Sequence, residues 1–371
     1  MTTRLAILGA TGSIGRQALD VVAAHPDRLR VTALASARNG KALAALARET
    51  GAETTVLQSR DGDDALCELA TRDDVDLVLV ATPGIAGLAP TLAALEAGKR
   101  VALANKEVLV TGGHLVAQLA GGAGERLRPV DSEHCALWQC LVGERTTDVL
   151  RVLLTASGGP FRERPIAELE SVTADEALRH PTWKMGPKVT VDSATLANKG
   201  YEVVEARWLY DLPYERIEIV IHPESVVHAL VEFADGSVKA QLAEPDMRLP
   251  IQYALLWEHA PSPARHLDWT AARTLRFTGG PDLARYPALS AVLDTARTGG
   301  AAAMVGLSAA DEVAVERFLR GEIRFTEIAP LLRTGAALGA ASSDEPAPTL
   351  REIMAIDRSV RASLAAQPVL R

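Results

Sequence analysis

Over its first 130 residues the chain alternates short apolar runs with amphipathic stretches, and this alternation constrains the fold more than any other feature. Strands are predicted at 4–8, 30–34, 54–57, 76–80, 101–104 and 126–130. Helices are predicted between them, at 16–24, 41–50, 65–70 and 90–97. Strands that alternate with helices at this spacing are typical of a parallel, doubly wound sheet, so an α/β fold is expected.

The pattern changes after about residue 148. Strands are predicted at 149–155 and 216–221, a hairpin at 226–242 and a helix at 194–210, a mixture that indicates an antiparallel α+β domain. Residues 258–283 lack periodicity, and the rest of the chain is helical. The predicted organisation is a parallel domain at 1–148, a central α+β domain at 149–257, a linker at 258–283 and a C-terminal helical domain at 284–371.

Composition and charge argue against several classes of protein. The chain carries 39 basic and 47 acidic residues, a formal net charge of −8, whereas sequence-independent nucleic-acid binding needs a basic surface. Three cysteines without metal-ligand spacing indicate no disulfide framework. The N-terminus does not have the pattern of a signal peptide, and proline and glycine interrupt the longest uncharged stretch, 77–95. A cytoplasmic protein without nucleic-acid or membrane partners is expected.

A glycine-rich turn joins the first predicted strand to the first predicted helix. Residues 9–15 have glycine at the spacing of a dinucleotide-binding turn, where glycine lets the backbone approach a pyrophosphate and the helix N-terminus donates to it. The segment that follows the second strand, 35–41, lacks the acidic residue that usually holds the ribose of NAD, while Arg38 and Lys41 suit a 2′-phosphate. The segment therefore predicts a Rossmann-like domain that prefers NADPH to NADH.

Two carboxylates follow the strand predicted at 126–130. Asp131 and Glu133 are two residues apart, so on an extended segment they would share a face at the sheet edge where ligands of open α/β folds gather. Such a pair can hold Mg²⁺ or Mn²⁺. A general-base role for one of them, or two solvated side chains, are alternatives that this motif leaves open.

A second polar group lies in and before the helix predicted at 194–210. Ser193 is expected to be its N-cap, and Asn198, Lys199 and Glu202 have the spacing that puts side chains on one helical face. An amide, an ammonium and a carboxylate placed in this way could bind a phosphate and a metal together. An exposed helix with an ordinary ion pair has the same pattern.

Two loops add candidate ligand groups. Residues 155–160 end a predicted strand in small, hydroxyl-bearing residues, as an anion-binding loop would. Residues 180–188 form a Pro- and Gly-rich loop that contains Trp183, Lys184 and Lys188. A tryptophan is costly to expose, so this loop is expected either to close over a ligand or to pack Trp183 on the domain surface.

Nine short motifs, taken in order, resemble those of the 1-deoxy-D-xylulose 5-phosphate reductoisomerase family of the non-mevalonate isoprenoid pathway. They are GATGSIG (9–15), LANKE (103–107), PVDSEH (129–134), TASGGPF (155–161), RHPTWKMG (179–186), VDSATLANKG (191–200), EARWL (205–209), HPESVVH (222–228) and EPDMR (244–248). The resemblance covers most of the chain, from residue 4 to about residue 325.

The resemblance implies a V-shaped homodimer whose subunits have an NADPH-binding N-terminal domain, a catalytic central domain and a helical C-terminal domain. The implied reaction rearranges the sugar phosphate 1-deoxy-D-xylulose 5-phosphate and reduces the product with NADPH to 2-C-methyl-D-erythritol 4-phosphate. One Mg²⁺ or Mn²⁺ ion is implied as well.

The same resemblance implies roles for individual residues. The metal ligands would be Asp131, Glu133 and Glu202, and the catalytic residues would be these three and Lys106. The substrate contacts would be Lys106, Ser132, Glu133, Ser157, His180, Trp183, Ser193, Asn198, Lys199 and Glu202. The NADPH contacts would be Thr11, Gly12, Ser13, Ile14, Ala37, Arg38, Asn39, Asn105, Glu107, Gly186 and Met247.

The chain departs from the family pattern in two places. Ala37-Arg38 stands where Gly-Lys is common, although Arg38 keeps the positive charge, and Ala156 stands where some members have glycine. Two other classes of function stay open. An NADP reductase of the aspartate-semialdehyde dehydrogenase type would need a nucleophilic cysteine such as Cys135. A non-catalytic NADPH sensor would need neither the carboxylates nor the tryptophan loop.

Overall fold

A six-stranded parallel sheet forms the N-terminal part of the molecule. The computed structural model describes residues 2–183, 185–343 and 345–366. The strands of this sheet are β1 (Thr3–Leu8), β2 (Leu29–Ser36), β3 (Thr54–Leu57), β4 (Leu77–Val80), β5 (Arg100–Leu103) and β6 (Leu127–Pro129). Their order is β3-β2-β1-β4-β5-β6, so the direction of winding reverses beside β1. The predicted doubly wound sheet is confirmed.

Helices cover both faces of this sheet, which explains why its strands are almost continuously apolar. Every residue of β4 is completely buried, for example. The helices that follow these strands along the chain are α1 (Ser13–Ala24), α2 (Gly40–Thr50), α3 (Gln58–Asp61), α4 (Asp64–Thr71), α5 (Leu88–Glu96), α6 (Lys106–Ala120) and α7 (Ser132–Leu141). Short 3₁₀ turns occur along the chain at Gly84–Gly87, Thr146–Asp148, Ile166–Ser171, Tyr214–Arg216 and Phe325–Glu327.

A mixed four-stranded sheet follows. Its strands are β7 (Val149–Ala156), β8 (Ile217–Ile221), β9 (Val227–Phe233) and β10 (Val238–Leu242), in the order β10-β9-β7-β8. The hairpin predicted between β9 and β10 is present, and only the β7–β8 pair is parallel among the described strands of this sheet. Between β7 and β8 lie three helices, α8 (Ala174–Ala177), α9 (Pro187–Thr195) and α10 (Ala197–Tyr210), and after β10 comes α11 (Arg248–Leu256).

The C-terminal part is helical, after a stretch at 258–286 in which the structure shows neither helix nor strand. Its helices are α12 (Pro287–Thr298), α13 (Gly300–Leu319), α14 (Ile328–Ala340) and α15 (Leu350–Ala365). The backbones of α13 and α14 touch at Gly306, where a Cβ would lie 2.8 Å from Cα of Gly339, so this close packing requires glycine. None of the helices within the described ranges is long and apolar enough to cross a membrane.

Two local predictions were wrong. Ser193 is not an N-cap, because α9 begins at Pro187 and continues to Thr195, and Leu196 in the left-handed conformation separates it from α10. Burial of the last six residues of α9 therefore outweighs the local capping preference of a serine. Asp131 and Glu133 do not share a face of an extended segment either, since Glu133 lies in the first turn of α7.

Candidate active site

A cavity of about 810 Å³ lies at the carboxyl edge of the parallel sheet. Its wall contains residues that follow β1, β5 and β6, the end of β7, the segment between α8 and α9, and the start of α10. Ligands of open α/β sheets bind at this edge, outside the carboxyl ends of the strands. The cavity therefore brings the predicted dinucleotide turn and the predicted carboxylates together.

Three carboxylates form the polar centre of this cavity. One oxygen each of Asp131, Glu133 and Glu202 can be chosen so that all three lie within 4.8 Å of one another. Asp131 precedes α7, Glu133 lies in its first turn, and Glu202 projects from α10. Carboxylate oxygens at this spacing have the donor chemistry that Mg²⁺ and Mn²⁺ prefer.

Two ammonium groups hold these carboxylates. Lys106, the first residue of α6, donates to Asp131 and, at 3.3 Å, to Glu202. Lys199 donates to Glu133 at 2.8 Å and to Glu202. Burial lowers the pKa of both lysines, but the surrounding carboxylates outweigh it and raise the pKa above its ordinary value. Both lysines are therefore positively charged.

This environment shifts the pKa values of Glu202 and Glu133 in opposite directions. Burial, together with the neighbouring charge of Glu133, raises the pKa of Glu202 to about 7. Burial also acts against ionisation of Glu133, but Lys199 and Lys106 outweigh it and hold the pKa of that carboxyl well below its usual range. A divalent cation beside Glu202 would favour its ionised form, so the donor set fits a metal ion.

Glu205 adds a fourth carboxylate at the back of this group. Its Oε2 lies 3.7 Å from Nζ of Lys106 and 3.3 Å from Nε2 of His134, whose side chain is completely buried. Four carboxylates thus face two ammonium groups and one histidine, so negative charge is in excess and can accommodate a cation. The sequence reasoning assigned no role to Glu205 or His134, although the three-residue spacing from Glu202 was a signal for Glu205.

His180 joins two of the serines predicted to bind phosphate. Its Nδ1 accepts hydrogen bonds from the backbone N–H groups of Thr182 at 3.2 Å and Trp183 at 2.9 Å. The proton of the neutral ring therefore lies on Nε2, which is 3.0 Å from Oγ of Ser193 and 3.2 Å from Oγ of Ser157. Burial lowers the pKa of His180 to about 4, so the ring is neutral near pH 7.

The structure places the other two predicted phosphate ligands with the carboxylates instead. Asn198 donates its Nδ2 to Oε1 of Glu202 at 2.6 Å, and the ammonium of Lys199 lies between Glu133 and Glu202. Neither side chain is hydrogen-bonded to the serine pair, although both line the same cavity. The buried Oδ1 of Asn198 has no hydrogen-bond partner among the described residues. The role of Asn198 and Lys199 in phosphate binding stays a prediction.

The loop around Trp183 forms part of the cavity wall. The indole lies beside His228, with ring centroids 6.1 Å apart, and Met185 and Gly186 follow it along the wall. Sequence reasoning gave His228 and Met185 no role. Lys184, expected in the same loop, lies outside the described residues. Lys188 is not in the loop, because α9 has already begun at Pro187.

The glycine turn has the geometry that a dinucleotide would need. Gly9 has φ +91°, α1 begins immediately after Gly12, and a Cβ at Gly15 would lie 2.5 Å from the carbonyl oxygen of Gly9. The hydroxyls of Thr11 and Ser36 are 2.7 Å apart and tie the turn to the end of β2, where residues 37–39 are exposed. The backbone at the start of α1 is therefore open to a phosphate.

The predicted NADPH contacts lie in different environments. Those that line the cavity are Ser13, Ile14, Gly186 and Met247. Asn105 instead caps α6 by accepting from the N–H of Val108 at 3.0 Å, and Glu107 accepts a hydrogen bond from Lys188 at 3.0 Å. Asn39 likewise caps α2. As NADPH contacts, all of these residues stay predictions, and so do Thr11, Gly12, Ala37 and Arg38.

The cysteines do not have the environment of a nucleophile. Cys135 and Cys140 lie in α7 and are 1% and 7% exposed. Burial raises the pKa of Cys135 to about 12 and that of Cys140 to about 11, so neither thiol ionises near neutral pH. This observation disfavours a reductase that acts through a cysteine.

Comparison with known proteins connects this site to one family. Models of 1-deoxy-D-xylulose 5-phosphate reductoisomerase match residues 5–113, and models of its C-terminal domains match residues 127–210 and 242–363. The chain is 50% identical over 375 residues to the 1-deoxy-D-xylulose 5-phosphate reductoisomerase of Thermomicrobium roseum, covering 97% of this chain and 96% of that protein. The chain belongs to the 1-deoxy-D-xylulose 5-phosphate reductoisomerase family.

Crystal structures of reductoisomerases share the whole fold. One, solved in complex with NADPH, fosmidomycin and magnesium, superposes with a TM-score of 0.91 at 39% identity and covers 98% of each chain. The Zymomonas mobilis reductoisomerase in complex with NADPH superposes with a TM-score of 0.87 at 39% identity and covers 99% of each chain. The three-part architecture of this chain is thus that of the reductoisomerase family.

Proposed function

We propose that the chain catalyses the NADPH- and divalent-metal-dependent conversion of 1-deoxy-D-xylulose 5-phosphate to 2-C-methyl-D-erythritol 4-phosphate. The observation that carries the proposal is one cavity that contains Asp131, Glu133 and Glu202, a serine pair and the start of the dinucleotide turn. The reaction joins a rearrangement of the carbon skeleton to a reduction, so substrate and reductant must share one site.

Asp131, Glu133 and Glu202 are the residues that would hold Mg²⁺ or Mn²⁺. A bound ion supplies Lewis acidity, which polarises a carbonyl oxygen and favours ionisation of a hydroxyl group. The protein's part is to keep three largely buried oxygens together, with Lys106 and Lys199 compensating their charge. Lys106 faces the cavity and is assigned to stabilise negative charge on substrate oxygens or to move a proton.

Ser157 and Ser193 are assigned to the substrate phosphate, with Asn198 and Lys199 completing the set. Both serine hydroxyls face the cavity and already share one donor, His180 Nε2. Binding a phosphate there holds the substrate by a group remote from the reacting carbons, which positions those carbons. Ser132, His180 and Trp183 are assigned as further substrate contacts, and closure of the loop that carries His180 and Trp183 would exclude water.

NADPH is assigned to the turn that begins at Gly9, where it supplies the hydride for the reduction. The N–H groups at the start of α1 would hold its pyrophosphate. Arg38 and Asn39, which are exposed at the end of β2, are assigned to the 2′-phosphate. Ser13, Ile14, Gly186 and Met247 line the cavity between this turn and the carboxylates, where the nicotinamide would lie.

A homodimer in the cytoplasm is proposed as well. The strand β10 lies at the edge of the second sheet, and the apolar side chains of Val142, Leu150 and Val238 are exposed. All three cysteines are free thiols, which is typical of a reducing compartment. Sedimentation equilibrium at micromolar concentration tests the dimer, and a monomer would contradict it.

Oxidation of NADPH in the presence of 1-deoxy-D-xylulose 5-phosphate, measured with and without Mn²⁺, tests the main proposal. The wild type is expected to turn over only with the metal. Glu202→Gln is expected to lower the rate at least about 100-fold, because it removes a charged ligand from the metal site. The matched control is Glu215→Gln, at an exposed position outside the cavity. Tight NADPH binding without metal-dependent turnover would favour the sensor, and an unchanged Glu202→Gln rate would refute the metal site.

A further inference from the structure

A second buried charged group surrounds Lys188, behind the cavity. The ammonium of Lys188 lies 3.0 Å from Oε1 of Glu107, 2.7 Å from Oδ2 of Asp192 and 2.7 Å from Oδ2 of Asp311. The ring of Tyr201 covers another side, with its centroid 4.9 Å from the ammonium. Asp311 is completely buried. One cation therefore holds three carboxylates from three different helices, α6, α9 and α13.

Two of the three partners of Lys188, Glu107 and Asp192, are sequence neighbours of residues that face the cavity. Glu107 follows Lys106 in the first turn of α6, and Asp192 precedes Ser193 in α9. Lys106 and Ser193 line the cavity, whereas Lys188, Glu107 and Asp192 do not. The Lys188 ion pairs therefore join the backs of the two helical segments that present an ammonium and a hydroxyl to the substrate.

The third partner comes from the C-terminal helical region. Asp311 lies in the middle of α13, which packs closely on α14 through Gly306. The next residue, Glu312, pairs at 2.8 Å with Arg361 of α15. Asp311 thus belongs to a tightly packed group of helices. None of the described residues that line the cavity comes from this group. Asp311 connects that group to the site through Lys188.

The charges in this group are arranged around the single cation. Burial lowers the pKa of Lys188, but Asp192, Asp311 and Glu107 outweigh it and raise the pKa well above its ordinary value. Burial and the charge of Asp311 raise the pKa of Asp192. Removing the ammonium would leave buried carboxylates facing one another, and either they or the helices that carry them would have to move.

We propose that Lys188 is a positioning residue of this enzyme: by binding Glu107, Asp192 and Asp311 at once, it fixes Lys106 and Ser193 relative to each other. The inference rests on the proposed function, since Lys106 and Ser193 matter only if the cavity turns over a phosphorylated substrate. It also gives the C-terminal helices a part in the reaction, because Asp311 anchors the ammonium from behind.

The test compares Lys188→Met, Asp311→Asn and the double variant, with Lys99→Met as a matched control. Lys99 precedes β5, at the opposite edge of the sheet from the cavity. Lys188→Met is expected to lower kcat roughly 10- to 100-fold and to raise KM for the sugar phosphate, because a small misplacement of reacting groups has effects of this size. The dissociation constant for NADPH, measured by fluorescence, is expected to change less than kcat, because Lys188 does not touch the glycine turn and meets a predicted NADPH contact only at Glu107.

The double variant separates positioning from stability. Asp311→Asn removes one of the three carboxylates that Lys188→Met leaves unpaired, so the double variant is expected to regain part of the lost melting temperature. The double variant is nevertheless expected to keep the low kcat, because nothing joins Glu107 to Asp192. Recovery of kcat together with the melting temperature would overturn the proposal.

The remaining outcomes are also decisive. A kcat for Lys188→Met within twofold of wild type would overturn the proposal. If Lys188→Met does not fold, a folded double variant with near-normal kcat would overturn it, and one with a kcat at least tenfold lower would support it. Asp311→Asn alone is expected to lower kcat about threefold, and an unchanged kcat would overturn the part assigned to the C-terminal helices. Failure of the wild type to turn over the substrate would refute the proposed function instead.

Discussion

Nε2 of His180 lies 3.0 Å from the hydroxyl oxygen of Ser193 and carries the proton that the ring can donate. The same nitrogen lies 3.2 Å from Oγ of Ser157, so one imidazole bridges the two serines assigned to the substrate phosphate. A phosphate bound by both hydroxyls must share them with His180 or replace it. Anion binding is thereby linked to the position of the loop that carries His180 and Trp183.

The stability of the substrate-free protein is expected to fall on mild acidification, in part because of His180. An unfolded histidine titrates near pH 6.5, whereas burial lowers the pKa of His180 to about 4. Its contribution to stability is therefore complete above about pH 6.5 and is lost as the pH falls towards 4. Between pH 7 and 5.5 the stability advantage of wild type over His180→Asn should shrink by about 1 kcal/mol. Urea unfolding at both pH values measures it, with His266→Asn as the exposed control. A constant difference would contradict the neutral ring.

Glu205 is expected to support the metal site without binding the metal. Its carboxylate faces Lys106 and His134, so Glu205→Gln removes a charge that helps to hold Lys106. The apparent affinity for Mn²⁺ should fall about tenfold, the usual size of an effect from groups that orient metal ligands. Calorimetric titration with Mn²⁺ measures this affinity. Glu205→Asp keeps the charge and should lose less, and equal losses in both variants would argue against an electrostatic role.

Arg38 is expected to determine the preference for NADPH. It is exposed beside the glycine turn, and no acidic residue stands at the end of β2. Arg38→Ala should raise KM for NADPH about 10- to 100-fold, since a hydrogen bond to a charged group contributes about 1.5–3 kcal/mol. KM for NADH should change little. Arg48→Ala, on the exposed side of α2, is the matched control. Equal effects on both cofactors would show that Arg38 does not meet the 2′-phosphate.

Gly15→Ala is expected to abolish NADPH binding and to affect the metal site less. The new Cβ would lie 2.5 Å from the carbonyl oxygen of Gly9, so the turn would have to open. At Gly124 a Cβ would meet nothing within 4 Å, which makes Gly124→Ala the control. Fluorescence titration with NADPH compares the two variants. Normal NADPH binding by Gly15→Ala would show that the turn tolerates a side chain.

Cys135→Ala is expected to leave kcat unchanged. The thiol is buried in α7 and its pKa is raised to about 12, so it has no part in nucleophilic chemistry. The substitution should lower the free energy of unfolding by about 1 kcal/mol, because it removes a buried sulfur atom. Steady-state kinetics and urea unfolding measure both effects. Loss of turnover in the folded variant would instead favour a reductase that acts through a cysteine.

Much of the fold and part of the site followed from local patterns. The alternation of apolar runs and amphipathic stretches predicted the parallel sheet, and the glycine spacing predicted the turn between β1 and α1. Asn198, Lys199 and Glu202 were expected on one helical face, and all three side chains are joined by hydrogen bonds. Such patterns are readable because side-chain direction repeats with the period of a helix or strand.

Local sequence patterns did not predict the contacts between distant segments. Ser193 has the local chemistry of an N-cap, yet burial places it inside α9. Lys188 was expected in the Pro- and Gly-rich loop at 180–188, but its charge is held by Glu107 and Asp311, which are far away in sequence. Glu205 and His134 stood within recognised motifs without any sign that they meet.

The sequence by itself determined the order of the elements, the glycine turn and the kinds of polar residue available to a site. Only the tertiary structure decided which of those residues face one another and which are buried. It placed Lys199 with the carboxylates rather than with Ser193, and it made Asp311 of the C-terminal helices a partner of Lys188. The physical reason is that hydrogen-bond geometry and secondary-structure period act over a few residues. Desolvation and charge pairing, in contrast, depend on every segment that packs around a group.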